Sequence, residues 1–157
     1  MKHEKKHFSI KRILRFLYLK IVRMNDSAPR VALGVAIGVF LGIFPTPFIG
    51  PVLAFFFAWL VGANKVAAVL GGIIMNPFTT PFFWTASAYL GALITGTNSA
   101  ELFNLIKSGE IFKASLEFIF TYLAGNTIIA VVFSTISYYF TLYILKTHKE
   151  RAFKTHI

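Results

Sequence analysis

Pro47-Phe48-Ile49-Gly50-Pro51 and, thirty residues on, Pro77-Phe78-Thr79-Thr80-Pro81 interrupt two uncharged stretches in the same way. The likeness continues at the same offset. Gly42-Ile43 recurs as Gly72-Ile73, and Ala58-Trp59-Leu60 as Ala88-Tyr89-Leu90. Proline has no N–H and its ring collides with the preceding turn, so neither motif can sit inside a continuous helix. The pattern is an internal repeat of one broken-helix unit, with Pro45, Pro47, Pro51, Pro77 and Pro81 as the helix-break residues.

Residues 31–64 and 66–100 contain no charge except at the Lys65 between them. A straight membrane crossing needs only ~20 apolar residues, so each run is too long for one helix and, broken at its prolines, too short for two. The pieces 31–44, 52–62, 66–75 and 82–95 rise ~15–21 Å. That is half to two-thirds of a ~30 Å hydrocarbon core. They are expected to be halves of discontinuous helices or arms of re-entrant hairpins, in repeats of about 31–62 and 66–95 within a unit spanning 28–96. Non-helical backbone at that depth must be shielded by protein or line a cavity.

The rest of the composition agrees. Of 157 residues, 56% are hydrophobic and 14% charged, which is unlike a soluble domain. The net charge of +10 is segregated: the first thirty residues carry nine Lys and Arg against Glu4 and Asp26, and four more bases follow residue 145 against Glu150. Bases confined to the ends of an apolar chain argue against nucleic acid and match cytoplasmic flanks of membrane spans. The expectation is a multi-pass membrane protein with its amino terminus in the cytoplasm. A cleaved signal peptide is not expected, since the first apolar region is studded with Lys and Arg.

Within residues 1–27, Ile10, Ile13, Leu14, Leu17, Ile21 and Met24 follow helical spacing opposite Lys11, Arg12, Arg15, Lys20 and Arg23. This predicts a basic amphipathic helix lying at the membrane surface, or one packed on the protein's own core. Gly34, Gly38 and Gly42 form a helix-packing ridge, expected to join copies of the chain into a homo-oligomer. Residues 97–117, opened by Asn98 and Glu101 as a capping box, form an interfacial segment. Residues 118–145 form a last transmembrane helix, dotted with Gly125, Asn126, Thr127, Ser134 and Ser137, and 146–157 a basic tail. Both basic ends can be cytoplasmic only if the repeats differ, one re-entering and the other crossing; otherwise the tail lies outside.

Catalysis is not expected. His3, His7, His148 and His156 all lie in the tails, cysteine is absent, and no carboxylate occurs between Asp26 and Glu101. Ser87 and Thr85 have no base to activate them, and hydroxyls and carbonyls alone are poor transition-metal ligands, so neither metal nor other cofactor is expected. The breaks offer backbone instead. Thr46, Gly50, Asn76, Thr79 and Thr80 stand where half-helices begin. An amino end pointing into a cavity presents N–H groups and a positive dipole to an anion. The alternative is that the prolines merely kink the helices and that Asn76, Thr79 and Thr80 satisfy the carbonyls so freed. Lys65 reads either as a snorkelling loop residue or as a phosphate ligand.

Pro29, Ala32-Leu33-Gly34, Gly38, Phe40, Pro45, Gly50, Asn64, Asn76-Pro77, Thr79, Pro81, Tyr89 and Gly91 together resemble the bacterial membrane family catalogued as domain of unknown function twenty sixty-two. The resemblance covers about residues 28–95, and its specific element is the Asn76-Pro77-x-Thr79-x-Pro81 pattern. Members often carry a polar residue, typically glutamine, soon after the first break's glycine, where this chain has Pro51-Val52. The resemblance implies an inner-membrane protein whose domain is sometimes joined to glycosyltransferases. By that analogy it implies lipid-linked envelope precursors as cargo and a glycosyltransferase-type partner.

The reading is an all-α integral membrane protein: an interfacial helix, two tandem proline-broken repeats and a final transmembrane helix. Its expected role is that of a transporter-like carrier or lipid-binding protein. It would hold an anionic lipid or lipid-linked envelope precursor at paired midplane half-helix termini. The alternative is a non-catalytic scaffold that recruits an envelope-biosynthesis enzyme among membrane lipids.

Overall fold

The computed structural model describes residues 15, 19–22, 24–44, 46, 49–74, 79–98, 104, 107–108 and 111–154. Among them the regular elements are all helical: α1 (Ala28–Ile43), α2 (Gly50–Leu60), α3 (Lys65–Gly71) with a 3-10 turn (Gly72–Ile74), α4 (Thr80–Thr95) and α5 (Ile111–Lys154). The described fold is all-α; α1 ends just before the first proline motif, and new helices begin within the two motifs, at Gly50 and Thr80. Pro51 and Pro81 fall in the first turns of α2 and α4, where a missing N–H costs no helical bond.

α1 and α2 form a hairpin. α2 ends in a Schellman turn: Gly62 has φ +68°, its N–H donates to the Trp59 carbonyl at 3.3 Å, and the Ala63 N–H reaches the Ala58 carbonyl at 2.8 Å. The turn delivers the chain back to the start of α1. There the Asn64 N–H donates to the Arg30 carbonyl at 3.0 Å and Arg30 Nε to the Gly62 carbonyl at 2.9 Å. Asn64 Nδ2 donates to Asp26 Oδ2 at 3.1 Å, and Asn64 Oδ1 caps α3 by accepting from the Ala67 N–H at 2.8 Å.

α3 then runs parallel to α1. A Cβ at Gly34 would strike the Asn64 carbonyl, one at Gly38 the Ala68 carbonyl, and one at Gly71 the Val35 carbonyl at 2.5 Å. The face of Gly34 and Gly38 is thus filled by the chain's own α3, and the expected use of that ridge between copies is corrected. The physical reason is local: Gly71, Ala67 and Ala68 give α3 an equally shallow surface, so the two backbones approach within one chain. Gly42, one turn further, is only partly buried.

α5 is the spine. Gly91 meets Thr121 and Gly125 meets Ser87 along α4, while Asn126 meets the Ile43 carbonyl and Ser134 Oγ donates to the Ala36 carbonyl at 2.9 Å along α1. Both registers are antiparallel, so α1, α3 and α4 run one way and α2 and α5 the other. The two repeats therefore differ: the first folds back on itself and the second carries on past its break.

α5 has 44 residues. It is ~66 Å long, and it overruns both ends of the expected 118–145 span, taking in residues assigned to the interfacial segment and the tail. Those boundaries are changes of polarity, and nothing between 111 and 154 stops a backbone helix: there is no proline, and Gly125 is packed in the α4 contact.

The main core gathers Val31, Val35, Val39 and Ile43 of α1 with Ala67, Phe83, Ala130 and Leu145. Ile21, Val22 and Met24 pack against it, with Leu19–Val22 helical and Arg15 and Lys20 exposed; Lys11, Arg12 and Arg23 lie outside the described residues. Outside the core, large apolar side chains are exposed on α2 (Phe55, Phe56, Trp59), α4 (Phe82, Trp84, Tyr89) and α5 (Phe120, Tyr139, Phe140). Among the described residues one helix, Ala114–His148, is long and apolar enough to cross a membrane, and only 17% of its most apolar window is buried, unlike a core helix of a soluble protein.

Candidate functional site

A helix leaves its last four carbonyls without helical partners. At the first break three of those of α1 are served: the Phe40 carbonyl by the Phe44 N–H at 2.9 Å, the Leu41 carbonyl by Thr46 Oγ1 at 2.8 Å, and the Ile43 carbonyl by Asn126 Nδ2 at 3.1 Å. Thr46 also accepts at its own carbonyl from the Gly50 N–H at 3.1 Å. Its side chain thus closes α1 and does not cap α2, whose preceding residue, Ile49, makes no side-chain cap.

At the second break Thr79 precedes α4 in a helical conformation, without a side-chain cap, and accepts from the Phe83 N–H at 3.1 Å. Thr80 opens the helix. Asn76, Pro77, Pro45 and Pro47 lie outside the described residues.

The two breaks sit at different heights on α5. The Ile43 carbonyl is level with Asn126. The Ser87–Gly125 register, carried back two turns, puts Thr80 about six residues further along, ~9 Å away by helical rise. Lys65 lies elsewhere again. It begins α3 at the end of the hairpin near Asp26 and Arg30, with Nζ over the Phe55 ring at 5.8 Å. Thr46 and Gly50 are brought together; Thr79 and Thr80 form a separate amino end, and Lys65 joins neither. Beside that second amino end an open groove runs along α4, lined by Pro81, Phe82, Thr85, Ala86 and Tyr89. Thr85 Oγ1 is turned inward to the Pro81 carbonyl at 2.8 Å, leaving the groove apolar.

One group escaped the expectations altogether. Asn126 and Ser87 are both 0% exposed, and Asn126 Nδ2 reaches Ser87 Oγ at 3.1 Å and the Tyr122 hydroxyl at 3.3 Å as well as the Ile43 carbonyl. The signal was available: a carboxamide in an uncharged run must find partners or pay its desolvation.

Compared with family models, the chain matches the family described as "uncharacterized protein conserved in bacteria" (DUF2062) over residues 11–154. The chain belongs to this family. The DUF2062 match extends well beyond residues 28–95, so α5 and the approach to α1 are as much part of the domain as the two repeats. No curated protein matches the chain. No solved structure matches it either.

Proposed function

We propose that this DUF2062 protein is a non-catalytic carrier or binding protein for an anionic lipid or lipid-linked precursor, embedded in the bacterial inner membrane. In this reading α3 and α4 together make one crossing, α5 makes the return, and α1 with α2 is a re-entrant hairpin. The basic head of the chain, Lys65 and the basic end of α5 then share the cytoplasmic side, as the positive-inside rule requires. From the level of Thr121, beside Gly91, to that of Leu145 is ~36 Å of helix, close to the ~30 Å hydrocarbon core.

The observation that carries the binding assignment is the amino end of α4. It starts within the length of α5 and has an open apolar groove running from it. A helix amino end favours an anionic headgroup, and the groove beside it suits an acyl or isoprenoid chain. With the two breaks ~9 Å apart along α5, the headgroup belongs to the Thr79–Thr80 end, not to a paired site with Thr46.

Native mass spectrometry of the protein extracted with its own lipids tests this. A stoichiometric anionic lipid, lost on Thr80→Val or Tyr89→Ala from protein that stays folded, is the expected result. Extraction without any such lipid, or loss only together with the fold, counts against it. The alternative scaffold would recruit its enzyme through the basic amphipathic segment together with the aromatic face of α2 (Phe55, Phe56, Trp59), since the glycine face is filled. A co-purifying enzyme released by charge reversal at Lys11, Arg12 and Arg15 would favour it.

A further inference from the structure

Arg30 is fixed at one end and open at the other. Its Nε donates to the Gly62 carbonyl at 2.9 Å, and its own carbonyl accepts from the Asn64 N–H at 3.0 Å, so the guanidinium is tied to the turn that closes the hairpin. Its outer nitrogens make no hydrogen bond among the described residues. Nη1 stands 3.7 Å from Asp26 Oδ1, too far for one, and the side chain is 61% exposed. The Asp26 carboxylate is already held by the Ser27 N–H at 2.7 Å and by Asn64 Nδ2 at 3.1 Å, and the sequence has no other carboxylate between Glu4 and Glu101.

A second cation stands just past that turn. Lys65 follows Asn64 directly, is exposed, makes no ion pair among the described residues, and lays its ammonium over the Phe55 ring at 5.8 Å. Phe55 belongs, with Phe56 and Trp59, to the exposed aromatic face of α2. A guanidinium anchored through Nε presents its outer N–H groups as a fixed fork, a geometry suited to a phosphodiester. Two cations at the edge of an apolar face fit an amphiphile with an anionic head. Free phosphate would leave that face uncovered, and a symmetric second copy centred here would set cation against cation. Ala28, at the same end of α1, shares a core with Leu145 beside the basic end of α5. In the arrangement proposed above this is the cytoplasmic boundary of the membrane, where anionic headgroups lie.

We propose that Arg30 and Lys65 bind the phosphodiester of an anionic phospholipid of the cytoplasmic leaflet, whose acyl chains lie against Phe55, Phe56 and Trp59. The site rests on the membrane placement proposed above, and on neither the α4 groove nor its cargo.

Trp59 and Trp84 are the two tryptophans of the chain, so Trp84→Phe leaves a fluorescent reporter at this site alone. The test is quenching of Trp59 in the full chain carrying Trp84→Phe, reconstituted in phosphatidylcholine vesicles with either dibrominated phosphatidylglycerol or dibrominated phosphatidylcholine as quencher. Phosphatidylglycerol is expected to compete for the site about fivefold better than phosphatidylcholine, the attraction of one basic side chain to an anionic surface being of that size. Lys65→Gln and Arg30→Gln should each lower this ratio, and together they should bring it near one. Should Arg30→Gln fail to fold, Lys65→Gln decides. Equal affinity for the two lipids, or a preference that the folded variants keep, would overturn the headgroup site. Quenching by neither lipid would overturn the membrane placement of α2, and the site with it.

Discussion

The backbone N–H of Asn64 donates to the carbonyl oxygen of Arg30 at 3.0 Å, so the chain that sets out along α1 comes back to α1's first turn before α3 begins. That closure makes the first repeat a hairpin, and the direction of everything after it follows.

Sidedness can be read directly because the chain has no cysteine. With single cysteines at the exposed positions Lys65, Lys107 and His148, a membrane-impermeant maleimide should label Lys107→Cys from outside intact spheroplasts. It should label Lys65→Cys and His148→Cys only in inverted vesicles. Labelling of Lys65→Cys and His148→Cys from opposite sides would refute the hairpin-plus-two-crossings arrangement.

Asn64 has two jobs, capping α3 and holding Asp26. Asn64→Ala should cost about 1–2 kcal/mol in an unfolding titration, whereas Asn64→Ser, which keeps a capping oxygen, should recover part of it. Asn64→Asp keeps the cap but sets a second carboxylate against Asp26, so its deficit should shrink as pH falls far enough to protonate the pair.

Gly38 has no room for a side chain, since its Cβ would fall on the Ala68 carbonyl. Gly38→Val should therefore destabilise by about 3 kcal/mol or prevent folding. At Gly96 nothing lies within 4 Å and only the positive φ resists, so Gly96→Ala should cost only about 1–2 kcal/mol. Similar losses at both positions in the same unfolding assay would mean that α1 and α3 are not in close contact.

Thr46 separates capping from binding. Thr46→Val removes the donor to the Leu41 carbonyl and should cost about 1–3 kcal/mol, with Thr46→Ser close to the parent. The folded Thr46→Val protein should still carry its lipid in native mass spectrometry. Loss of lipid from the folded variant would return Thr46 to the binding site.

Much of the helical layout was legible in the residues. Helix ends expected at 44, 62 and 95 fall at Ile43, Leu60 and Thr95, because a proline or an αL glycine marks a boundary whatever surrounds it. The end of the last span was misplaced. Polarity changes at 117–118 and at 145–146, but helix propensity does not, and α5 follows propensity. Site residues were harder. Thr46 and Asn126 are both polar residues in apolar runs; Thr46 takes the Leu41 carbonyl five residues back where α1 stops, whereas only the approach of α1's carboxyl end to α5 gives Asn126 the Ile43 carbonyl.

By itself the sequence determined an all-helical chain of this bacterial family, interrupted twice by proline. These are local consequences of a missing N–H and of apolar runs, and they need no neighbour. Tertiary structure alone decided that the two copies of the motif lead to different paths. The Gly62 turn and the Asp26, Arg30 and Asn64 hydrogen bonds catch the first copy and send it back. Close contact of Gly91 and Gly125 with α5 and α4 holds the second copy on its course. Such contacts join residues thirty or more positions apart, so no stretch of sequence read alone contains the choice.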